Sequence, residues 1–164
     1  MAVAQKVLNE VLASMKPVLN PGVYAFVHVP SGVLDPSIKP LATMREVEGL
    51  SVVVEVSQLE AVPVALENLT IHFRADFITL GVHSDLSAVG LTACVAHVLA
   101  NAGISCNVIA GVFHDHLFVP EGRGAEALAL LEELSQGAVL GCGVRSLNDG
   151  SEFVEVLVLG DNIE

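Results

Sequence analysis

The chain's pattern predicts an α+β fold, with antiparallel strands carrying helices on one face, and three observations carry that reading. The second half runs strand, helix, strand, strand, helix, strand. The first half is a degraded copy of the same order, helix, strand, strand, helix, strand. No low-complexity linker separates the halves, so they form a tandem that shares strands rather than two beads on a string.

Val7, Leu8, Val11, Leu12 and Met15 recur at helical spacing and Pro17 ends the pattern, which predicts a helix over 4–16. After the turn Asn20-Pro21-Gly22, the run from Val23 to Val29 is rich in strand formers and stops at Pro30-Ser31-Gly32. Val33 to Met44, with Pro36 and Pro40, is expected to be a loop. Val47 to Val56 predicts a second strand, and 58–69 a weaker helix damaged by Pro63. Two strands, 70–73 and 77–82, follow on either side of a bend at Arg74-Ala75-Asp76.

Leu91, Val95, Val98, Leu99 and Ala102 define a helix over 87–102, with Gly103 placed to take the left-handed conformation beyond its end. Next come two strands joined by a hairpin around His114-Asp115, and a helix over 122–135 with Ala127, Leu128, Leu131 and Leu134 inward. Strand-like runs at 138–144 and 153–159 flank Asp149-Gly150, a good hairpin turn, and should complete or extend the sheet.

Composition narrows the function. The 164 residues are 52% hydrophobic, enough to bury a core, and seven Lys plus Arg against nineteen Asp plus Glu leave a formal charge of −12. No basic patch could neutralise a row of phosphates, which argues against nucleic acid and anionic membranes. The N-terminus lacks a signal-peptide pattern. The most apolar window, Leu86 to Gly103, is interrupted by Ser87, Thr92, His97 and Asn101 and falls short of the roughly 20 mainly apolar residues that span a bilayer. Cys94, Cys106 and Cys142 have neither paired nor metal-type spacing and are expected as reduced core thiols, hence a cytoplasmic location.

Two segments stand out as a candidate pocket. Ser84-Asp85-Leu86-Ser87-Ala88-Val89-Gly90 leads from a strand into a helix whose first backbone N–H groups and dipole suit a carboxylate. The alternative is plain capping by Asp85 or Ser87. His114-Asp115-His116 sets a carboxylate between two imidazoles that could hold an ammonium or polar side chain, with Asn107 adding an amide; its alternative is a polar turn with Asp115 bonding its own backbone. His-x-His can chelate a divalent ion, yet structural zinc needs four convergent ligands and catalytic zinc three, so no metal is expected. His97 sits among apolar neighbours as a satisfied histidine. No nucleophile with its base, no paired carboxylates and no phosphate loop is present, and neither enzyme activity nor a cofactor is expected.

The strings Ile78-Thr79-Leu80 to Val89-Gly90-Leu91-Thr92-Ala93, Ile104-Ser105, and Asn107-Val108-Ile109-Ala110-Gly111 to His114-Asp115-His116-Leu117-Phe118-Val119-Pro120, with Glu48-Gly49-Leu50 upstream, closely resemble the small tandem ACT-domain proteins over roughly residues 4–135. The resemblance implies tandem ferredoxin-like modules, divided here as 1–72 and 73–146; it does not explain 136–164, where the residues themselves suggest a C-terminal extension, 147–164, that completes a β-hairpin. It also implies a regulatory or sensing module that binds a small molecule, an amino acid above all, without catalysis and as a homo-oligomer. The competing class is a structural or protein-interaction module with no small ligand.

Overall fold

The computed structural model describes residues 2–62, 69–82, 90–137, 142–146 and 152–156. In chain order the elements are α1 (Ala2–Ala13), β1 (Pro17–Leu19), β2 (Tyr24–Val29), β3 (Ala42–Glu46), β4 (Gly49–Glu55), α2 (Val56–Glu60), β5 (Thr70–Leu80), α3 (Leu91–Asn101), β6 (Asn107–Ala110), β7 (Asp115–Pro120), α4 (Gly124–Ser135), β8 (Cys142–Ser146) and β9 (Glu152–Val156). Seven strands make one antiparallel sheet in the order β3-β4-β2-β5-β7-β6, with β1 also on β5. This is the ferredoxin-like βαββαβ arrangement twice over, with helices on one face.

The two modules meet in one strand. The first half of β5 pairs with β2 (Tyr24 opposite Ala75) and its second half with β7 (Phe77 opposite Phe118) and β1 (Leu19 opposite Ile78). The expected boundary between residues 72 and 73 therefore falls inside β5. The bend expected at Arg74-Ala75-Asp76 is absent; the irregularity lies at His72, where the register against β2 shifts as Phe26 faces Phe73 and Val27 faces Ile71. The charged side chains that suggested a bend have partners: Arg74 ion-pairs with Glu121 at 2.7 Å, and Asp76 accepts from the N–H groups of Gly122 and Gly124.

Alternation divides the core between the two faces of the sheet. On the helix side, Ile78, Leu80, Leu117 and Val119 meet Leu8, Leu12 and Met15 from the α1 segment, Val95 and Leu99 of α3, and Leu131 and Leu134 of α4. The N-terminal helix thus packs with the second half of the chain. Ala25, Val27, Val29, Leu50, Val52 and Val54 form a second cluster with Val56 and Leu59 of α2. Burying each large apolar side chain is worth about 1.5–3 kcal/mol, so these clusters set where the strands can lie.

The other face gathers Tyr24, Phe26, Phe73, Phe77 and Phe118. That is the chain's one tyrosine and four of its six phenylalanines, and Phe77 stacks on Phe118 with ring centroids 5.0 Å apart. Tyr24 and Phe26 meet Phe118 edge-on.

Helix ends follow their local chemistry. Gly103 takes φ 66 after α3, and the N–H of Ile104 returns to Leu99 O, closing the last turn. Several boundaries differ from expectation. The run expected as a strand from Val47 starts at Gly49, since Val47 and Glu48 turn a tight hairpin with β3, which lies partly in the expected loop. The turn between β6 and β7 is centred on Val112 and Phe113, two residues before His114-Asp115, with the N–H of Gly111 bonded to His114 O. β8 and β9 pair with each other as a separate two-stranded sheet instead of extending the main one. Asp149-Gly150 and the outer parts of those runs lie outside the described residues, as does the expected helix beyond Val62.

Candidate functional site

Ser84, Asp85, Leu86, Ser87, Ala88 and Val89 lie outside the described residues. Their flanks are placed. β5 ends at Leu80 and Val82 is buried, while on the far side Gly90 precedes α3 at φ 111, and its carbonyl accepts the N–H of Cys94 at 3.0 Å. That backbone conformation strains any residue with a Cβ, so the glycine is required by the helix start itself.

The β6–β7 hairpin comes back to this point. His114 Nδ1 lies 3.4 Å from the carbonyl oxygen of Val82, so the imidazole meets the chain as it leaves β5 toward α3. Asp115, the first residue of β7, is paired with Ala110 and is 7% exposed, the one buried charged residue among those described. It shares the helix-side face with Leu117 and Val119.

His116 is on the opposite face. It lies across from Thr79 in the register, with its ring centroid 5.4 Å from that of Phe77. Thr79 Oγ1 accepts from Asn20 Nδ2 at 2.9 Å and lies 3.3 Å from His116 Nδ1, within hydrogen-bond reach of the imidazole. Burial, aided by the nearby His114, pushes the His116 imidazole below its ordinary pKa, with Asp115 opposing. Asn107 is exposed and pairs with Phe118, three residues along β6 from the Ala110–Asp115 pair and so about 10 Å away.

The structure therefore brings His114 to Val82 just beyond β5, with Asp115 next to it on the helix-side face, whereas His116 is on the opposite face and Asn107 lies three pairs along β6. Asn20 and Thr79 went unnoticed in the sequence reading, because a hydrogen bond spanning 59 positions leaves no local signal. The split of Asp115 from His116 does leave one, since neighbours in a strand point to opposite faces.

Elsewhere, His97 is bonded to Asn101 Nδ2 one helical turn on at 2.9 Å. Burial raises the Cys106 thiol to about 11, so it is not a reactive thiolate at neutral pH. Cys94, expected as a reduced core thiol, is disulfide-bonded, which removes the cysteine argument for a cytoplasmic location. Among the described residues no group of three or more His, Cys, Asp and Glu is arranged to hold a metal ion, and no helix is long and apolar enough to cross a membrane.

Two family models match the chain, each an ACT domain, over residues 4–69 and 73–133. A solved protein of unknown function from Vibrio cholerae, described as a "possible transport protein", is 40% identical, with a TM-score of 0.66 over 81% of this chain and 99% of its own. The chain belongs to the ACT-domain family. It carries two ACT domains in tandem. At the level of fold it is similar to aspartate kinase from Clostridium acetobutylicum (10% identity, TM-score 0.58, 70% of this chain and 33% of that one). It is likewise similar to the regulatory subunit of aspartate kinase from Thermus flavus (13%, TM-score 0.50, 74% and 96%). No curated protein matches the sequence. ACT domains are in general regulatory and sensing modules without catalysis.

Proposed function

We propose that this tandem ACT protein binds a free amino acid at the junction between β5, α3 and the β6–β7 hairpin, and works as a sensor or regulatory module without chemistry of its own. The observation that carries the reading is the buried carboxylate of Asp115 beside His114, whose ring meets the backbone at Val82. A ligand ammonium on Asp115 would gain a charge-assisted bond in a site shielded from water. Its carboxylate would take backbone N–H groups of the Ser84 to Gly90 segment that leads into α3, with His114 orienting it. His116 and Asn107 have no part in this version of the site.

A second reading, an interaction module that forms a homo-oligomer, is favoured by Phe113, 62% exposed at the hairpin tip beside exposed Val112. Thermal-shift screening of the twenty amino acids separates the two. A ligand at 100 times its dissociation constant stabilises by about 2.7 kcal/mol, which for a chain of this size is several degrees. A flat response from folded protein that light scattering shows to be a dimer would refute the sensor and support the interaction module.

A further inference from the structure

A second concavity lies at the opposite end of β5. It is a cavity of about 390 Å³ on the aromatic face of the sheet, bounded by Phe26 and His28 of β2, Glu46 and Glu48 of the β3–β4 hairpin, Ser51 of β4 and His72 of β5. His72 and Leu80 are eight residues apart along β5, roughly 26 Å, so this cavity is separate from the Asp115 region.

Its polar groups have one chemical character. His28 Nε2 lies 2.9 Å from the carbonyl oxygen of Glu48, so that nitrogen carries the proton and the neutral ring's Nδ1 is an acceptor. The Ser51 hydroxyl donates to Glu46, which spends the donor and fixes the carboxylate. Glu48 supplies a second carboxylate, and His72 lies with its ring centroid 6.1 Å from that of His28. Among the described residues no lysine or arginine lines it. Arg45 alternates to the other face of β3 from Glu46. The hairpin is held against β2 by Gly49, where a Cβ would lie 2.5 Å from Val29 O and 3.1 Å from His28 Nε2. The cavity thus combines two carboxylates, two imidazoles and the ring of Phe26, with its hydroxyl donor already used.

We infer that this cavity binds a small organic cation, a primary amine or guanidinium on a short apolar stem. The head would donate to Glu46 and Glu48 and the stem would lie along Phe26, where a cation also gains from the ring face. A bare divalent ion suits the site less, because its His and Glu groups are not gathered into a coordination set and the volume exceeds what an ion fills.

The test is an NMR titration of the full chain with agmatine and with putrescine, using 1-pentanol as an uncharged control and Zn²⁺ as a separate arm. Saturable shifts at the amides of Phe26, His28, Ser51 and His72, absent with pentanol, are expected. Glu46→Gln with Glu48→Gln should weaken binding at least tenfold, and Phe26→Leu by a smaller factor, each with an unchanged circular dichroism spectrum. Shifts spread over the acidic surface, or affinity indifferent to Phe26→Leu and to the paired glutamines, would overturn the inference. So would saturation by Zn²⁺ alone. Asp115→Asn should leave this titration unchanged, so the fate of the amino-acid site does not decide it.

Discussion

Asp76 is the most exacting test of how the second module is held together. Its Oδ2 accepts from the N–H groups of Gly122 at 2.9 Å and Gly124 at 2.7 Å, so a carboxylate on β5 caps the start of α4 from 46 and 48 positions away. The approach is close enough to demand glycine at 124, where a Cβ would fall 2.8 Å from Asp76 and from Leu19. Losing a side-chain cap costs about 0.5–2 kcal/mol, and hydrogen bonds to a charged group are worth about 1.5–3 kcal/mol. With two donors released at a partly buried position, Asp76→Ala should lose about 2 kcal/mol. At about 2–4 °C per kcal/mol for a chain of this size, that lowers Tm by about 4–8 °C. Asp76→Asn keeps an acceptor oxygen and loses the attraction between charge and helix dipole, so about 1 kcal/mol is expected. Urea denaturation followed by circular dichroism measures both, with the midpoint falling at constant slope. An Asp76→Ala protein within about 0.5 kcal/mol of the parent, against the helix-cap range above, would show that α4 is positioned by apolar packing alone.

Three further outcomes are expected. Asp115→Asn should weaken a bound amino acid by about 1.5–3 kcal/mol, roughly ten- to a hundredfold, in calorimetric titration while Tm changes little; unchanged affinity with a large loss of Tm would make Asp115 structural. Gly49→Ala should cost about 1–3 kcal/mol in thermal denaturation, since φ is +142 and the new Cβ meets Val29 O. His116 has a lowered pKa in the folded protein, so the unfolded chain binds its proton first: this contribution is complete above the ordinary imidazole pKa and is lost as pH falls below it toward the folded value. His116→Gln should therefore flatten the stability profile just below the ordinary value, and an unaltered slope there would refute the assignment.

The elements legible in the sequence are those whose apolar spacing is sufficient by itself. α3 and α4 follow from Leu91, Val95, Val98 and Leu99 and from Ala127, Leu131 and Leu134, all buried where a 3.6-residue period places them. β3 was missed because most of Ala42–Glu46 is exposed, leaving no alternation to read. β1 was missed because three residues beginning at a proline carry too little pattern. The false bend in β5 has a clearer cause: Arg74 and Asp76 look like turn residues until Glu121 and the backbone of Gly122 and Gly124 are seen beside them. Of the candidate residues, the approach of His114 to Val82 follows from the βαββαβ order, while His116 was grouped with it by nearness in sequence and strand alternation places it on the other face.

That same geometry explains how one chain can offer two unlike sites. β5 runs through both modules, with β2 and β1 along one edge and β7 along the other, so its two ends belong to different module environments. At its C-terminal end the helix face holds the buried Asp115, with His114 against the carbonyl of Val82. At its N-terminal end the first module has no described helix between β2 and β3, and the aromatic face opens beside a hairpin rich in glutamate. Helices supply N–H donors that favour an anionic group, whereas a sheet face edged with carboxylates and rings favours a cation. On the two proposals above, the loss of regularity in the first module would change the kind of ligand its surface recognises, while the shared strand keeps both surfaces within a single sheet.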